Sequence, residues 1–269
     1  MSFSTRLLSS GPGWQVQDCI CTAGPQDHPI EELHDAFCVA AVTGGTFHYR
    51  AAQGCATLAP GAFLLGNPGT HFECGHEHGV GDRCLSFKFD PDYFEQIVAS
   101  VPGARGLMFT MPRLPPSEAL LPLVAAAEAA DDALGFEEIA LRVVGAAVTA
   151  ENGSAEMVLD SRHERRVVEA VRRIEAEPDE PVTLSRLAQD AAMSPYHFLR
   201  IFNAVCGETP YQFVLAQRLR LAARRLRRTA EPISAIAYEA GFNDLSTFNR
   251  RFRRVIGMTP GAWRSGRPL

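Results

Sequence analysis

The densest group of chemically versatile side chains lies between residues 71 and 84, which read HFECGHEHGVGDRC. If this stretch forms a strand, its alternate side chains Cys74, His76 and His78 face the same way. Together with Cys84 they could bind Zn²⁺ or another thiophilic metal ion as four tetrahedral ligands. The spacing matches no standard zinc finger, so two alternatives stay open. One is a structural polar loop, and the other is a redox or electrophile sensor whose acceptor thiol is Cys74 or Cys84.

A second group of residues with chemical potential belongs to a repeat near the C-terminus. The segments FLRIFNAVCGETP (198–210) and FNRRFRRVIGMTP (248–260) share Phe, Arg, Phe, Val, Gly, Thr and Pro in the same order and at the same spacing. Each copy reads as a short helix, a tight turn and a second helix, at about 183–206 and 233–256. This is the pattern of a helix-turn-helix motif.

Capping residues support both motifs. Thr183 is expected to cap the leading helix of the first copy, and Ser194, followed by Pro, is expected to cap the second helix. In the second copy Gly241 fits the left-handed residue that closes a helix. Asn243 or Asp244 then caps the next helix.

The two copies share one helix face and differ on the other. The shared face is expected to lie in the core, and it consists of Phe198, Phe202 and Val205 in one copy and Phe248, Phe252 and Val255 in the other. The divergent face carries residue types that contact base edges and phosphates. Its members are Tyr196, His197, Leu199, Arg200 and Asn203 in the first copy and Ser246, Thr247, Asn249, Arg250 and Arg253 in the second. The alternative is a duplicated helical hairpin that serves only as a scaffold.

The charge of the chain is divided between its two halves. Residues 1–153 carry 7 basic and 18 acidic side chains, a net charge of −11, whereas residues 154–269 carry a net charge of +6. A basic half indicates a polyanionic partner for the C-terminal region only.

Between the repeats, residues 210–228 predict a helix roughly 28 Å long, which can hold two reading helices about one DNA turn apart.

The elements that position these residues differ along the chain. Apolar runs at 37–42, 45–51 and 84–89 alternate with turn residues and predict short strands over residues 1 to about 100. Two Ala- and Leu-rich segments, 117–131 and 136–150, predict a helical hairpin with Gly135 between the helices. That hairpin would pack on a partner subunit or on its own domain. The segment 152–161 reads as a linker, and helices are predicted after it.

Residues 162–266 resemble the DNA-binding domain of the AraC/XylS family of transcription regulators. The resemblance rests on LAQDAAMSPYHFLRIFNAVCGETPYQFV, RLRLAARRLRR and ISAIAYEAGFNDLSTFNRRFRRVIGMTPGAWR, with their spacing. It implies that base edges are read by Tyr196, Leu199 and Arg200 in the first copy and by Leu245, Ser246, Asn249 and Arg250 in the second. It further implies an N-terminal cupin-like β-barrel that binds an effector, with His34 and His71 at pocket positions.

The sequence therefore predicts an α+β protein of two domains. Residues 1–153 would form a cupin-like sensor and dimerisation domain with a helical hairpin, and residues 162–269 an all-α domain with two helix-turn-helix motifs. We expect a cytoplasmic regulator without catalysis that binds double-stranded DNA. The other expected partners are a small-molecule, metal or thiol-reactive effector, a second copy of the chain and RNA polymerase. The alternative is a cupin-type metalloenzyme domain tethered to a DNA-binding tail.

Three features of the sequence argue against a membrane-spanning, secreted or disulfide-linked protein. The most apolar stretch, 119–130, is too short to span a membrane. The N-terminus has no sustained apolar core, so we expect no secretory signal. The seven cysteines are an odd number, which favours reduced thiols over a disulfide framework.

Overall fold

The computed structural model of the protein describes residues 3–76, 81–104, 106–116, 120–130, 132–152 and 161–266. The chain divides into two compact units. The N-terminal unit comprises 1–158 with Ser194–His197, and the C-terminal unit comprises 159–193 and 198–269. The linker predicted at 152–161 lies mostly outside the described residues.

Two antiparallel sheets make up most of the N-terminal unit. The six-stranded sheet has the order β1-β2-β9-β4-β7-β10 and the four-stranded sheet has the order β3-β8-β5-β6. Their hydrogen bonds close no barrel within the described residues. The strands are β1 (Phe3–Gly11), β2 (Trp14–Cys21), β3 (Ile30–Leu33), β4 (Phe37–Gly45), β5 (Phe47–Ala51), β6 (Gly54–Leu58), β7 (Phe63–Gly66), β8 (His71–Gly75), β9 (Asp82–Phe89) and β10 (Arg113–Leu114).

The apolar runs predicted as strands form the centre of the six-stranded sheet. The runs at 37–42 and 84–89 lie in β4 and β9, as predicted. Val39 lies opposite Phe87 on one side and Leu65 on the other, and all three side chains are fully buried. Cross-strand contacts of this kind are the main stabilising unit of a sheet.

Three helices complete the described part of the N-terminal unit, and one of them corrects the sequence prediction. They are α1 (Pro91–Ser100), α2 (Leu121–Ala129) and α3 (Ala133–Asn152). Gly135 does not separate the hairpin helices, because it lies buried inside α3 and its N–H donates to Asp132 Oδ1 at 2.7 Å. A carboxylate at a helix start satisfies a backbone donor and moves the helix boundary upstream of the glycine. Helix α3 packs against β1, β2, β4 and β9, so its apolar surface covers the six-stranded sheet of its own unit.

Seven short and medium helices form the described part of the C-terminal unit. In its second half, Leu219 and Leu226 pack with Ile236, Phe248 and Phe252 in one hydrophobic cluster. The helices are α4 (Ser161–Ala176), α5 (Leu184–Asp190), α6 (Pro195–Cys206), α7 (Pro210–Arg228), α8 (Ile233–Glu239), α9 (Leu245–Ile256) and α10 (Pro260–Ser265). None of the described helices combines the length and apolarity needed to cross a membrane.

Candidate functional site

The N-terminal unit contains a thiol-lined pocket with a cavity of about 140 Å³. Residues of both sheets line it, because inward-facing positions alternate along each strand. Of the seven cysteines in the chain, five line this pocket, whereas Cys55 is exposed on β6. The five are Cys19, Cys21, Cys38, Cys74 and Cys84.

A group of three potential metal ligands includes two residues that line the pocket, Cys21 and Asp82. Cys21, His76 and Asp82 each offer one ligand atom, and these atoms all lie within 4.8 Å of one another. Nε2 of His76 is 2.6 Å from Asp82 Oδ2, and the imidazole is buried. The other nitrogen, Nδ1, has no hydrogen-bond partner among the described residues.

The ligand set predicted from sequence overlaps only partly with this group. His76 belongs to it, and Cys74 and Cys84 line the same pocket. The Cys84 thiol lies 3.5 Å from Asp82 Oδ1. His78 lies outside the described residues. Sequence reasoning missed Cys21 as a ligand, since Cys21 faces Asp82 only through the register of β2 with β9.

The two histidines predicted for an effector pocket lie in different environments. His34 lines the thiol-lined pocket and stacks on Phe72 with ring centroids 4.0 Å apart. Because Tyr49 Oη donates to the Leu65 carbonyl, His34 Nε2–H is the donor of the 3.0 Å bond to Tyr49 Oη. Burial, followed by the nearby Lys88 charge, lowers the pKa of His34 to about 4.

His71 is exposed and does not line the thiol-lined pocket. The physical reason is strand alternation. Phe72 and Cys74 of β8 face the pocket, so His71 must face the opposite way.

Two pocket thiols are poorly suited to react as nucleophiles. Burial raises the pKa of Cys19 to about 12, and burial likewise raises the pKa of Cys38, which hydrogen-bonds Ser86. Both therefore stay protonated near neutral pH, and the thiolate is the reactive form. The sensor hypothesis named Cys74 or Cys84 instead, and burial raises the pKa of both of these thiols as well, which weakens that hypothesis.

The first helix-turn-helix motif consists of α5 and α6. Thr183 Oγ1 accepts from the Arg186 N–H at 3.1 Å and caps α5, as predicted. The chain reverses at Ala192, whose φ of +50° is left-handed, and the Met193 N–H then donates to the Ala188 carbonyl at 2.9 Å. Ser194 Oγ accepts from the His197 N–H at 3.3 Å and caps α6.

The second motif repeats this geometry with α8 and α9. Gly241 has a φ of +83°, and the Phe242 N–H donates to the Ala237 carbonyl at 3.1 Å. Of the two residues considered as the cap of α9, the structure uses Asp244, whose Oδ1 accepts from the Thr247 N–H at 2.7 Å. That backbone hydrogen bond lowers the pKa of Asp244.

The inner faces of the two motifs agree with the sequence prediction except in the last helical turn. Phe198, Phe202, Phe248 and Phe252 are all fully buried. Val255 is 47% exposed, however, so its prediction as a core residue was wrong. Ile256, eight residues after Phe248, packs against the cluster instead.

The second motif presents its predicted reading face to solvent. Thr247 is half-buried, and its hydroxyl accepts from Arg250 Nη2 at 3.3 Å. The other predicted residues are exposed, and they are Leu245, Ser246, Asn249, Arg250 and Arg253.

The first motif presents less of its predicted face. Asn203 is exposed, and His197 and Arg200 are half-buried. Tyr196 and Leu199 are buried, at 8% and 4% exposure.

The comparisons with known proteins concern this C-terminal region. A family model described as a helix-turn-helix domain matches residues 187–266. The regulatory protein ada of Salmonella typhimurium is 45% identical over 93 residues, which are 34% of this chain and 25% of that protein. A putative AraC-like transcription regulator of Streptomyces antibioticus is 34% identical over 98 residues, 36% of this chain and 32% of that protein.

Residues 187–266 are an AraC-type helix-turn-helix domain. Among solved structures, a transcriptional regulator of Chromobacterium violaceum described by its AraC-type DNA-binding domain is 26% identical. The match covers 41% of this chain and 98% of the Chromobacterium violaceum chain, with a TM-score of 0.37. The chain spans about a quarter to a third of the length of these two curated relatives.

In the AraC-type domain, the arginines of α7 fall into two classes. Arg218 is held inside the unit, since its guanidinium donates to the carbonyls of Pro178 at 3.0 Å and Glu180 at 3.2 Å. Arg225 forms ion pairs with Glu231 and Glu239. These two arginines therefore bind other segments of the same unit.

The other arginines of α7 face a groove of the AraC-type domain. Arg227 lies 4.6 Å from the ring centroid of Trp263, a cation–π distance. Trp263 is fixed in turn by its indole N–H, which donates to the Ala223 carbonyl at 2.9 Å. The groove is lined by four exposed arginines, which are Arg220, Arg224, Arg227 and Arg228.

Proposed function

We propose that this protein is a sequence-specific, double-stranded-DNA-binding transcription regulator of the AraC type. The observation that carries the proposal is the tandem pair of capped helix-turn-helix motifs, one of which exposes a polar and basic face on α9. Asn and Arg side chains on such a face bind adenine and guanine edges in the major groove. The exposed arginines of α7 supply phosphate contacts.

Helix α7 sets the distance between the two reading helices. Its 19 residues give a length of roughly 28 Å at ~1.5 Å per residue. With the flanking turns, this spacing suits two successive major grooves about 34 Å apart on one side of the duplex. One chain would therefore read two half-sites.

The N-terminal unit is the proposed sensor. Its two sheets and the thiol-lined pocket support a cupin-like ligand-binding role, in which the signal is a small molecule, a metal or a thiol-reactive compound. We assign no catalytic step to it. Binding of the signal would change which half-sites two copies of the chain occupy together, and RNA polymerase would respond to that occupancy.

The proposal is tested by selecting DNA from a randomised duplex library with the full-length protein. We expect enrichment of a motif with two half-sites. The double variant Asn249→Ala/Arg250→Ala should lose the preference at one half-site. Arg172→Ala is the matched control, because this arginine is exposed on α4 outside both motifs. Absence of any enriched motif, or equal enrichment by the double variant, would refute the proposal.

A further inference from the structure

The cluster of Cys21, His76 and Asp82 combines a thiol, an imidazole and a carboxylate at one point of the fold. Cys21 is the last residue of β2, and Asp82 is the first residue of β9 and lies directly opposite it in the sheet. His76 follows β8, a strand of the other sheet. Cys21 therefore meets two residues that lie close to each other much later in the chain, His76 and Asp82.

The distances suit a single metal ion. Ligand atoms around a tetrahedral Zn²⁺ ion, with bonds of about 2.0 to 2.3 Å, lie roughly 3.3 to 3.8 Å apart. The three atoms here lie within 4.8 Å of one another, so small side-chain movements complete the geometry. Cys84 lies next to the three, with its thiol 3.5 Å from Asp82 Oδ1, and is placed to supply a fourth ligand.

The state of His76 gives independent support. Its side chain is 1% exposed, and one ring nitrogen bonds Asp82 at 2.6 Å while the other has no partner among the described residues. An unsatisfied buried nitrogen is costly in a folded protein. Because His76 Nε2 and Asp82 Oδ2 already lie side by side, one cation between them would be bound by both groups.

We propose that Cys21, His76 and Asp82, with Cys84 beside them, bind one borderline-soft divalent cation of the Zn²⁺ class. A thiol with an imidazole selects such an ion over Mg²⁺ or Ca²⁺, which take oxygen ligands. The inference names a signal or structural ion for the proposed sensor and so rests in part on the proposed function. Metal binding is measured without DNA, however, so the failure of one does not imply the failure of the other.

The test uses the reduced, chelator-treated full-length chain with Co²⁺ as a spectroscopic probe. We expect one Co²⁺ per chain, with tetrahedral d–d bands and a thiolate charge-transfer band, and displacement of Co²⁺ by Zn²⁺. Cys21→Ser should abolish the charge-transfer intensity from that thiolate. His76→Gln should weaken Zn²⁺ binding by about 100-fold in competition with a chromophoric chelator.

Two cysteine variants serve as matched controls. Cys38→Ser removes a thiol of the same pocket that bonds Ser86, and Cys55→Ser removes an exposed thiol. Both should bind Zn²⁺ as the wild-type chain does. The proposal is overturned if the wild-type chain takes up no Co²⁺, if Cys21→Ser keeps the spectrum, or if Cys38→Ser loses it to the same extent.

X-ray absorption of the zinc-bound wild-type chain keeps the proposal testable even if a variant does not fold. We expect a mixed shell with one or two sulfur ligands beside nitrogen and oxygen. A shell of four sulfur atoms, or one without sulfur, would contradict the assignment.

Discussion

At the scale of single residues, the turns of the two motifs place different residue types at their left-handed position. The turn of the second motif uses Gly241 at φ +83°, whereas the first motif has Ala192 at φ +50°. A residue with a Cβ atom in the left-handed region costs about 1 to 2 kcal/mol, whereas glycine does not. The first turn is therefore strained where the second is relaxed.

Replacing Ala192 by Gly should stabilise the protein, because the strain of a Cβ atom in the left-handed region is relieved. Ala192 is exposed, so the loss of its methyl group removes no buried contact. After the entropic cost of glycine in the unfolded chain, we expect the free energy of unfolding to rise by about 0.5 to 1 kcal/mol. Gly241→Ala should lower it by about 1 to 2 kcal/mol, since the new Cβ would also lie 3.1 Å from Arg218 Cζ. Urea unfolding measures both. Gly261→Ala in α10 is the control, since no atom lies near its added Cβ, and the helix propensity of alanine should raise the free energy of unfolding there by about 0.5 to 1 kcal/mol. A destabilising Ala192→Gly would contradict the argument.

A second residue-scale prediction concerns pH and His34. The pKa of His34 in the folded chain is lowered to about 4, whereas in the unfolded chain it is about 6.5. Between these two pH values the unfolded state therefore binds a proton that the folded state does not. The contribution of His34 to the free energy of unfolding is thus fully present above pH 6.5 and declines as the pH falls towards 4. Between pH 7 and 5 the loss should be about 2 kcal/mol. In His34→Gln the difference in unfolding free energy between these two pH values should shrink by that amount, and an unchanged difference would contradict the prediction.

At the scale of elements, helices α9 and α7 should contribute to DNA binding in different ways. Arg250 lies on the exposed face of α9, where an arginine binds a base edge. Arg250→Ala should weaken binding to the selected site by about 1 to 3 kcal/mol and relax the preference at one base pair. The same outcome is expected for Arg200→Ala at the other half-site. Fluorescence anisotropy on single-base variants of the site measures this, with Arg172→Ala as control.

Helix α7 should act through phosphates instead. Arg224 is exposed on α7 and lies in the arginine groove, so Arg224→Ala should weaken binding about equally on all sequences. It should also reduce the slope of log affinity against log salt by about 1, because one fewer counterion is released. If Arg224→Ala and Arg250→Ala gave the same sequence and salt profiles, the division into phosphate and base contacts would be wrong.

At the scale of the whole molecule, the proposed function implies that the continuous helix α7 sets the spacing of two half-sites within one chain. It links the first motif, which ends at Cys206, to the second, which begins at Ile233. Inserting about five base pairs between the half-sites turns the second groove to the far side of the duplex. We expect the affinity of the full-length chain to fall to that for a single half-site. Mobility-shift titrations check this, with a scrambled half-site as the reference, and tolerance of the insertion would show that the motifs are flexibly linked.

The sequence by itself determined the features that depend on local spacing. The repeat predicted both motifs, the caps Thr183 and Ser194, the closing Gly241 and the phenylalanine core, because caps and the 3.6-residue period act within a few residues of chain. Strand patterns predicted β4 and β9 for the same reason.

Only the tertiary structure decided which distant groups meet. It placed Cys21 beside Asp82 and His76, since the register of β2 with β9 joins segments that are distant in sequence and leaves no signal in local spacing. It also showed that Arg218 and Arg225 serve internal contacts. In each case a contact between separate segments outweighed the local pattern.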